Sequence, residues 1–127
     1  MDYILDTCTL LWLLFEPEKL SKSARQIILD KNCHKSVSVV SLWEISVKNR
    51  IKKLELPYGV SGVFDKVKSS GFGFVPIEQE HIEAYNTLPL IHRDPFDGII
   101  VATALVEQMT ILTSDTEIQK YDAAWTW

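Results

Sequence analysis

Four acidic side chains occupy places in the sequence from which a parallel α/β sheet would bring them together. Asp6, Glu44 and Asp115 each follow a segment whose residue pattern predicts a buried strand, and Asp97 lies at the start of an apolar helix. The C-terminal ends of parallel strands meet at one edge of a sheet, which is where ligands bind. We therefore expect these four carboxylates to converge on a single site.

A cluster of carboxylates predicts a particular chemistry. Three or four of them at low dielectric repel one another strongly, so they must bind cations or take up protons. A half-open site with oxygen ligands suits Mg²⁺ or Mn²⁺, which keep several waters and bind phosphate oxygens. Such a centre can polarise a phosphodiester and lower the pKa of bound water. The sequence has no Gly-rich phosphate loop, nucleophile elbow or zinc-type His and Cys cluster, so these motifs favour a metal-dependent nuclease.

Each acid also has a structural explanation when it is taken alone. Asp6 and Asp115 could each cap a helix that follows them. Glu44 could close a capping box with Ser41, and Asp97 could complement the dipole of its helix. Only the joint placement of the four acids favours a site.

The apolar helix is predicted with clear boundaries. Asp94 is a good N-cap, and Pro95 fits the first helical position, where a missing N–H has no cost. Residues 96–106 are apolar nearly all the way round, which predicts a central packed helix rather than one at the surface. A strand at 110–113 follows at once and would deliver Asp115 at its C-terminal end.

The rest of the chain alternates between strand and helix patterns. Strands are predicted at 3–5, 35–40, 72–77 and 125–127. Helices are predicted at 7–15, 21–32, 41–51, 60–70 and 78–88, with one further helical turn at 116–121. Strands that alternate with helices predict a parallel α/β sheet.

Length, composition and charge limit the class of protein. The chain has 127 residues, 46% of them hydrophobic, which predicts one domain over residues 1–127. No apolar run reaches the ~18 residues of a membrane span, and the start lacks the basic residues of a signal peptide, so we expect a cytoplasmic protein without membrane contact. The net charge of −4 argues against a protein that coats nucleic acid non-specifically, because phosphate binding needs Lys and Arg. In a reducing compartment Cys8 and Cys33 should be free thiols.

Four motifs carry a resemblance to a known family: Asp6-Thr7, Ser41-x-x-Glu44-Ile45, His92-Arg93-Asp94-Pro95-Phe96-Asp97 and Thr113-Ser114-Asp115. With these motifs in this order and spacing, the sequence resembles PIN-domain proteins and, more narrowly, the VapC-type toxins of bacterial toxin–antitoxin pairs. The resemblance implies a PIN-like three-layer α/β/α sandwich with a mainly parallel, roughly five-stranded sheet. It also implies an Mg²⁺- or Mn²⁺-dependent endoribonuclease, inhibited by a cognate antitoxin and assembled as a homodimer.

The resemblance implies a role for each matching residue. The metal-binding and catalytic acids would be Asp6, Glu44, Asp97 and Asp115. Thr7 and Thr113 would support them with hydroxyl groups, whereas Asp94 matches the motif but is sufficiently explained as a helix cap. Two positions depart from the family pattern, because Cys8 replaces a residue that is polar in many relatives and Gly98 stands where an arginine is frequent. Gly98 leaves the mouth of the site less basic.

Other candidates for contacts lie near these motifs. His92 stands beside the site and could touch substrate. Lys48 and Arg50 belong to a basic helix face that could bind RNA phosphates, although such a face is most often only solvated. Trp12 and Phe15 belong to a first helix with more apolar side chains than one face can bury, which makes them candidates for antitoxin contacts.

Two other functions stay open at this point. The fold could be a non-catalytic PIN-like module that binds protein or RNA, with its acids kept for folding and helix capping. A metal-dependent phosphatase acting on small phosphate esters would also fit the chemistry of the site. A basic groove beside the acids would favour a polymeric substrate.

Overall fold

Five short strands form one parallel sheet in the computed structural model, which describes all 127 residues. In chain order they are β1 (Asp2–Leu5), β2 (His34–Ser38), β3 (Gly73–Val75), β4 (Thr110–Leu112) and β5 (Trp125–Thr126). Their spatial order is β3-β2-β1-β4-β5, and every neighbouring pair is parallel. The central strand β1 therefore pairs with β2 on one side and with β4 on the other.

Seven α-helices cover the sheet: α1 (Thr7–Phe15), α2 (Lys22–Leu29), α3 (Val39–Arg50), α4 (Gly59–Ser69), α5 (Gln79–Thr87), α6 (Pro95–Glu107) and α7 (Thr116–Gln119). A short 3₁₀ helix at Pro17–Lys19 joins α1 to α2. None of the helices has the length and apolar character that crossing a membrane requires.

The buried side chains form one core on each face of the sheet. Successive residues of a strand point to opposite faces, and Leu5 and Leu112 accordingly pack with residues of α1, α2 and α4. Ile4 and Ile111 pack on the other face with residues of α6 and α7. The three-layer α/β/α sandwich with a mainly parallel sheet is therefore confirmed.

Helix α6 forms as its sequence predicts. The Asp94 carboxylate accepts hydrogen bonds from the backbone N–H groups of Phe96 at 2.9 Å and Asp97 at 3.4 Å. Pro95 occupies the first turn, and the helix ends at Glu107, where the C-cap residue Gln108 adopts the left-handed conformation with φ of 56°. The run from Ile100 to Ala104 is buried, so α6 is the central packed helix.

The start of α3 differs from the predicted one. Strand β2 ends at Ser38, whose side chain accepts a hydrogen bond from the Val40 N–H at 3.1 Å and caps α3. The predicted strand at 35–40 was too long because two β-branched valines, which favour strands, form the first turn of α3 instead. The predicted capping box is therefore wrong, since Ser41 lies inside α3 and Glu44 lies in its second turn.

Helices α5 and α6 approach each other closely at Gly98. A Cβ atom placed on Gly98 would lie 2.4 Å from Cε1 of Tyr85 in α5, which is far inside van der Waals contact. A larger side chain at this position would displace the ring. Packing therefore accounts for the glycine where the family pattern often has arginine.

Candidate metal centre

Asp6 lies at the junction of β1 and α1, where it is 2% exposed. Its Oδ1 accepts a hydrogen bond from the Thr9 N–H at 2.8 Å, and its Oδ2 accepts one from the Thr113 hydroxyl. Burial raises the pKa of Asp6 above its ordinary value, although the hydrogen bonds from Thr113 and Thr9 oppose the shift. Asp6 is thus a helix cap and a buried acid at the sheet edge at the same time.

Glu44 lies in α3 and is 4% exposed. Its Oε2 is 2.7 Å from Nζ of Lys48, one helical turn further on. Its Oε1 is buried and has no hydrogen-bond partner. A buried carboxylate oxygen without a hydrogen-bond partner destabilises the fold by its desolvation free energy. A metal ion bound to that oxygen would offset this cost.

Asp97 occupies the first turn of α6 and is 8% exposed. Its Oδ2 is 3.1 Å from Nε2 of His92. Burial, followed by the negative charges of Asp94, Glu44 and other nearby acids, raises the pKa of Asp97 to about 7. The cluster therefore holds protons near neutral pH unless cations neutralise it.

Asp115 follows β4 and caps α7, because its Oδ1 accepts a hydrogen bond from the Glu117 N–H at 2.8 Å. Its own N–H donates to Oγ1 of Thr113 at 3.0 Å. Thr113 is fully buried, so its hydroxyl links Asp115 to Asp6. This position matches the predicted hydroxyl support.

The four predicted acids line one cavity of about 220 Å³ at the C-terminal edge of the sheet. The complete lining is Asp6, Thr7, Cys8, Leu11, Glu44, Lys48, Asp94, Asp97 and Asp115. The potential metal ligands in this lining are carboxylate oxygens, which Mg²⁺ and Mn²⁺ prefer. Together with the partnerless Glu44 oxygen, this lining fits a divalent cation.

A second group of potential ligands lies on the α6 side of the cavity. His92, Asp94 and Asp97 each offer one ligand atom, and these atoms lie within 4.8 Å of one another. Asp94, which the sequence explained as a cap, therefore also faces the site. His92 reaches the site through its contact with Asp97, as expected for a residue beside it.

The remaining predicted residues are distributed differently from expectation. The Thr7 hydroxyl donates to Oγ of Ser41 at 3.0 Å and not to an acid. Arg50 lies outside the acidic cavity, beside a separate groove that it lines with Val47 and Ile51. Lys48 lies in the cavity, but as the ionic partner of Glu44. The helix face predicted to be basic is therefore divided between two surfaces.

Trp12 and Phe15 keep part of their surface exposed on α1. The Trp12 ring lies 5.8 Å from the ring of Trp127, and Nζ of Lys19 lies 5.8 Å from the centre of the Trp12 ring. Phe15 packs against the core of the α1 face. Both side chains therefore contribute to their own fold and still present apolar surface.

Sequence reasoning missed three features of the cavity. The Glu44–Lys48 pair has the i,i+4 spacing of a helical ion pair, and that spacing could have indicated it. No local sequence pattern predicts that Leu11 lines the cavity or that the Thr7 hydroxyl forms a hydrogen bond with Ser41. Cys8 is an exposed residue, but local desolvation and the charges of Asp6 and Asp115 raise the pKa of its thiol to about 11, so the thiol stays protonated and is a poor metal ligand.

Comparison of the sequence with models of known protein families identifies the family of this chain. The model of the PIN domain family matches residues 3–124. The chain belongs to the PIN domain family. A comparison with curated proteins found no match.

Several solved structures share this fold. VapBC2 from Rickettsia felis, bound to a DNA fragment from its promoter, is 18% identical with a TM-score of 0.75, covering 100% of this chain and 99% of that chain. VapBC-1 from nontypeable Haemophilus influenzae is 18% identical with a TM-score of 0.69, covering 99% and 97%. VapBC-5 from Mycobacterium tuberculosis, of the VapBC family of toxin–antitoxin systems, is 15% identical with a TM-score of 0.63, covering 98% and 95%. The predicted PIN-like fold is confirmed.

Proposed function

We propose that this protein is a Mg²⁺- or Mn²⁺-dependent endoribonuclease that acts as the toxin of a toxin–antitoxin pair. In this proposal the metal ligands and catalytic acids are Asp6, Glu44, Asp97 and Asp115. The observation that carries the proposal is their shared cavity, in which Glu44 keeps a buried oxygen without a partner. Membership of the PIN domain family supports it.

The chain's own side chains would prepare the site for a phosphodiester. Thr113 and the Thr9 N–H hold the Asp6 carboxylate in one orientation, so little reorganisation is needed on binding. A bound cation would supply the polarisation of the phosphate and the lowered pKa of water. His92, hydrogen-bonded to Asp97, lies where it could hold or move a proton near the substrate.

An antitoxin partner is part of the proposal. The M. tuberculosis relative belongs to the VapBC family of toxin–antitoxin systems, and the half-exposed Trp12 and Phe15 offer apolar surface on α1. We propose that an antitoxin segment docks on this surface and directs an Arg or Lys into the acidic cavity, where it would pair with carboxylates and exclude metal. A homodimer, implied by the resemblance, stays a prediction.

The two alternative functions make different demands on the site. A binding module that kept its acids only for folding would be expected to pair its buried polar atoms, and Glu44 Oε1 is unpaired. A phosphatase for small esters would use the same acids. The choice of substrate therefore distinguishes the phosphatase from the nuclease.

The experiment is incubation of the purified, partner-free chain with total RNA and with p-nitrophenyl phosphate, in Mg²⁺, Mn²⁺ or EDTA. We expect RNA cleavage only with metal, and none by Asp97→Asn, which removes a ligand charge but keeps the side-chain size. Asp65→Asn, at an exposed position in α4, is the matched control and should cut RNA normally. Cleavage in EDTA, or wild-type cleavage by Asp97→Asn, would overturn the proposal, and turnover of the small ester alone would favour the phosphatase.

The partner is tested by co-expressing the chain with the gene beside its own and purifying them together. We expect a stable, inactive complex, which a Trp12→Ala, Phe15→Ala double variant weakens. A chain that is recovered alone, active and harmless to its host would contradict the toxin assignment.

A further inference from the structure

One cationic side chain, Lys48, lines a cavity to which five carboxylates also contribute. Its Nζ lies 2.7 Å from Oε2 of Glu44, and the carboxylates of Asp94 and Asp97 line the same cavity. Lys48 therefore stands among the same groups that a divalent cation would bind.

The two partners of this ion pair differ in their freedom to move. The Glu44 side chain is 5% exposed, whereas the Lys48 side chain is 46% exposed. Glu44 is fixed by the packing of α3 between the two cores, and Lys48 has a flexible stem that reaches solvent. If the pair separates, the lysine is the partner that moves.

The two oxygens of Glu44 are also unequal. Lys48 occupies Oε2, and Oε1 has no partner. A second positive charge bound to Glu44 would lie within a few ångströms of the ammonium group and repel it, since like charges at this distance interact by kilocalories per mole. Lys48 and a bound divalent cation are therefore competitors for one carboxylate.

This inference rests on the proposed function: we propose that Lys48 is a resident counter-ion that leaves Glu44 when a divalent cation binds and then contacts a phosphate of the RNA. In the metal-free protein Lys48 stabilises the acidic cavity. In the metal-bound protein its ammonium group lies at the cavity mouth, beside the place where the phosphodiester must bind. Metal binding thereby creates a phosphate contact that the metal-free protein lacks.

The first test is metal binding without RNA, measured by isothermal titration calorimetry with Mn²⁺. Lys48→Met keeps an unbranched side chain one atom shorter than lysine and removes its charge, so we expect Mn²⁺ to bind on the order of tenfold more tightly. Lys53→Met is the matched control, because Lys53 is exposed and lies outside the cavity, and it should bind Mn²⁺ as the wild type does. Unchanged or weaker binding by Lys48→Met would overturn the proposal.

The second test is RNA binding, measured by fluorescence anisotropy of a short labelled single-stranded RNA over a series of salt concentrations. The measurement is made in EDTA and in Ca²⁺, with gels showing that the RNA stays intact. The salt dependence is the slope of the logarithm of the RNA-binding constant against the logarithm of the salt concentration. In Ca²⁺ we expect Lys48→Met to make this slope ~0.7 less steep, which corresponds to the loss of one phosphate contact on a single strand. In EDTA the slope for Lys48→Met should equal the slope for Lys53→Met. A change in slope for Lys48→Met that is the same in EDTA and in Ca²⁺, or no change in either, would count against the proposal.

The outcomes separate this proposal from the function on which it rests. A wild-type chain that binds no Mn²⁺ and cuts no RNA overturns both. A wild-type chain that does both, while Lys48→Met shows no gain in Mn²⁺ affinity, overturns only the role of Lys48. Lys48→Gln provides a second neutral variant, and urea unfolding of each variant shows that the fold is intact.

Discussion

The Thr113 hydroxyl donates a hydrogen bond to Oδ2 of Asp6 across 107 residues of sequence. The same hydroxyl oxygen accepts the N–H of Asp115. One buried side chain therefore fixes the ends of β1 and β4 relative to each other and orients two of the four acids.

Replacing Thr113 by valine should weaken both the fold and metal binding. The change keeps the shape but leaves the Asp6 oxygen and the Asp115 N–H without their partner, and each unsatisfied buried group costs about 1–3 kcal/mol. Urea unfolding in EDTA measures the loss of stability, and calorimetry measures Mn²⁺ affinity. Thr103→Val is the control, because Thr103 is equally buried but donates to the Ile99 carbonyl inside α6, so Mn²⁺ binding should not change.

The stability of the metal-free protein should fall as the pH rises through neutrality. The pKa of Asp97 is about 7 in the folded protein against an ordinary value of 3.8, so the folded state binds more protons between these values. This contribution to stability is fully present below about pH 4 and is lost as the pH passes 7. Asp97→Asn has no such group, so in EDTA the wild type should lose stability relative to Asp97→Asn between about pH 4 and pH 7, and the difference should level off above pH 7. A difference that does not depend on pH would contradict the shifted pKa.

Protons and metal should compete for the same site. Because a divalent cation requires the ionised carboxylate, Mn²⁺ affinity should rise with pH up to about 7, near the pKa of Asp97, and then level off. Calorimetry in two buffers of different ionisation enthalpy should show release of about one proton per Mn²⁺ at pH 6. Metal affinity that is constant from pH 5 to 8 would mean that Asp97 is not a ligand.

Gly98→Ala should destabilise the protein although alanine favours helices. Its Cβ would meet the Tyr85 ring at 2.4 Å, and displacing the ring should cost about 1–3 kcal/mol. In a Tyr85→Ala background the same change should become neutral or stabilising, which a double-mutant cycle measures. Gly73→Ala is the control in β3, because its Cβ would only reach Ser36 Oγ at 3.5 Å.

Local chemistry was sufficient to predict much of this structure from the sequence. The Asp94-Pro95 start of α6 depends only on capping and on the geometry of proline, and both are present. The convergence of Asp6, Glu44 and Asp115 follows from the parallel sheet, because strand ends share one edge. These predictions depend on the order of the strands and helices along the chain and not on the exact residues at which each begins and ends.

Features that depend on tertiary packing were not predictable. Ser38 and Ser41 are both good helix caps, and only the end of β2 decides that Ser38 is used. The contact between Gly98 and Tyr85 joins two helices whose approach no local pattern encodes.

The pairing of β1 with β4 has a consequence for synthesis of the chain on the ribosome. Strand β1 is synthesised long before its neighbour β4 and the acid that follows β4. A nascent or prematurely terminated chain that stops before Thr110 lacks one side of the central strand and lacks Asp115. Incomplete translation products that lack β4 and Asp115 should therefore be unable to form the proposed metal site.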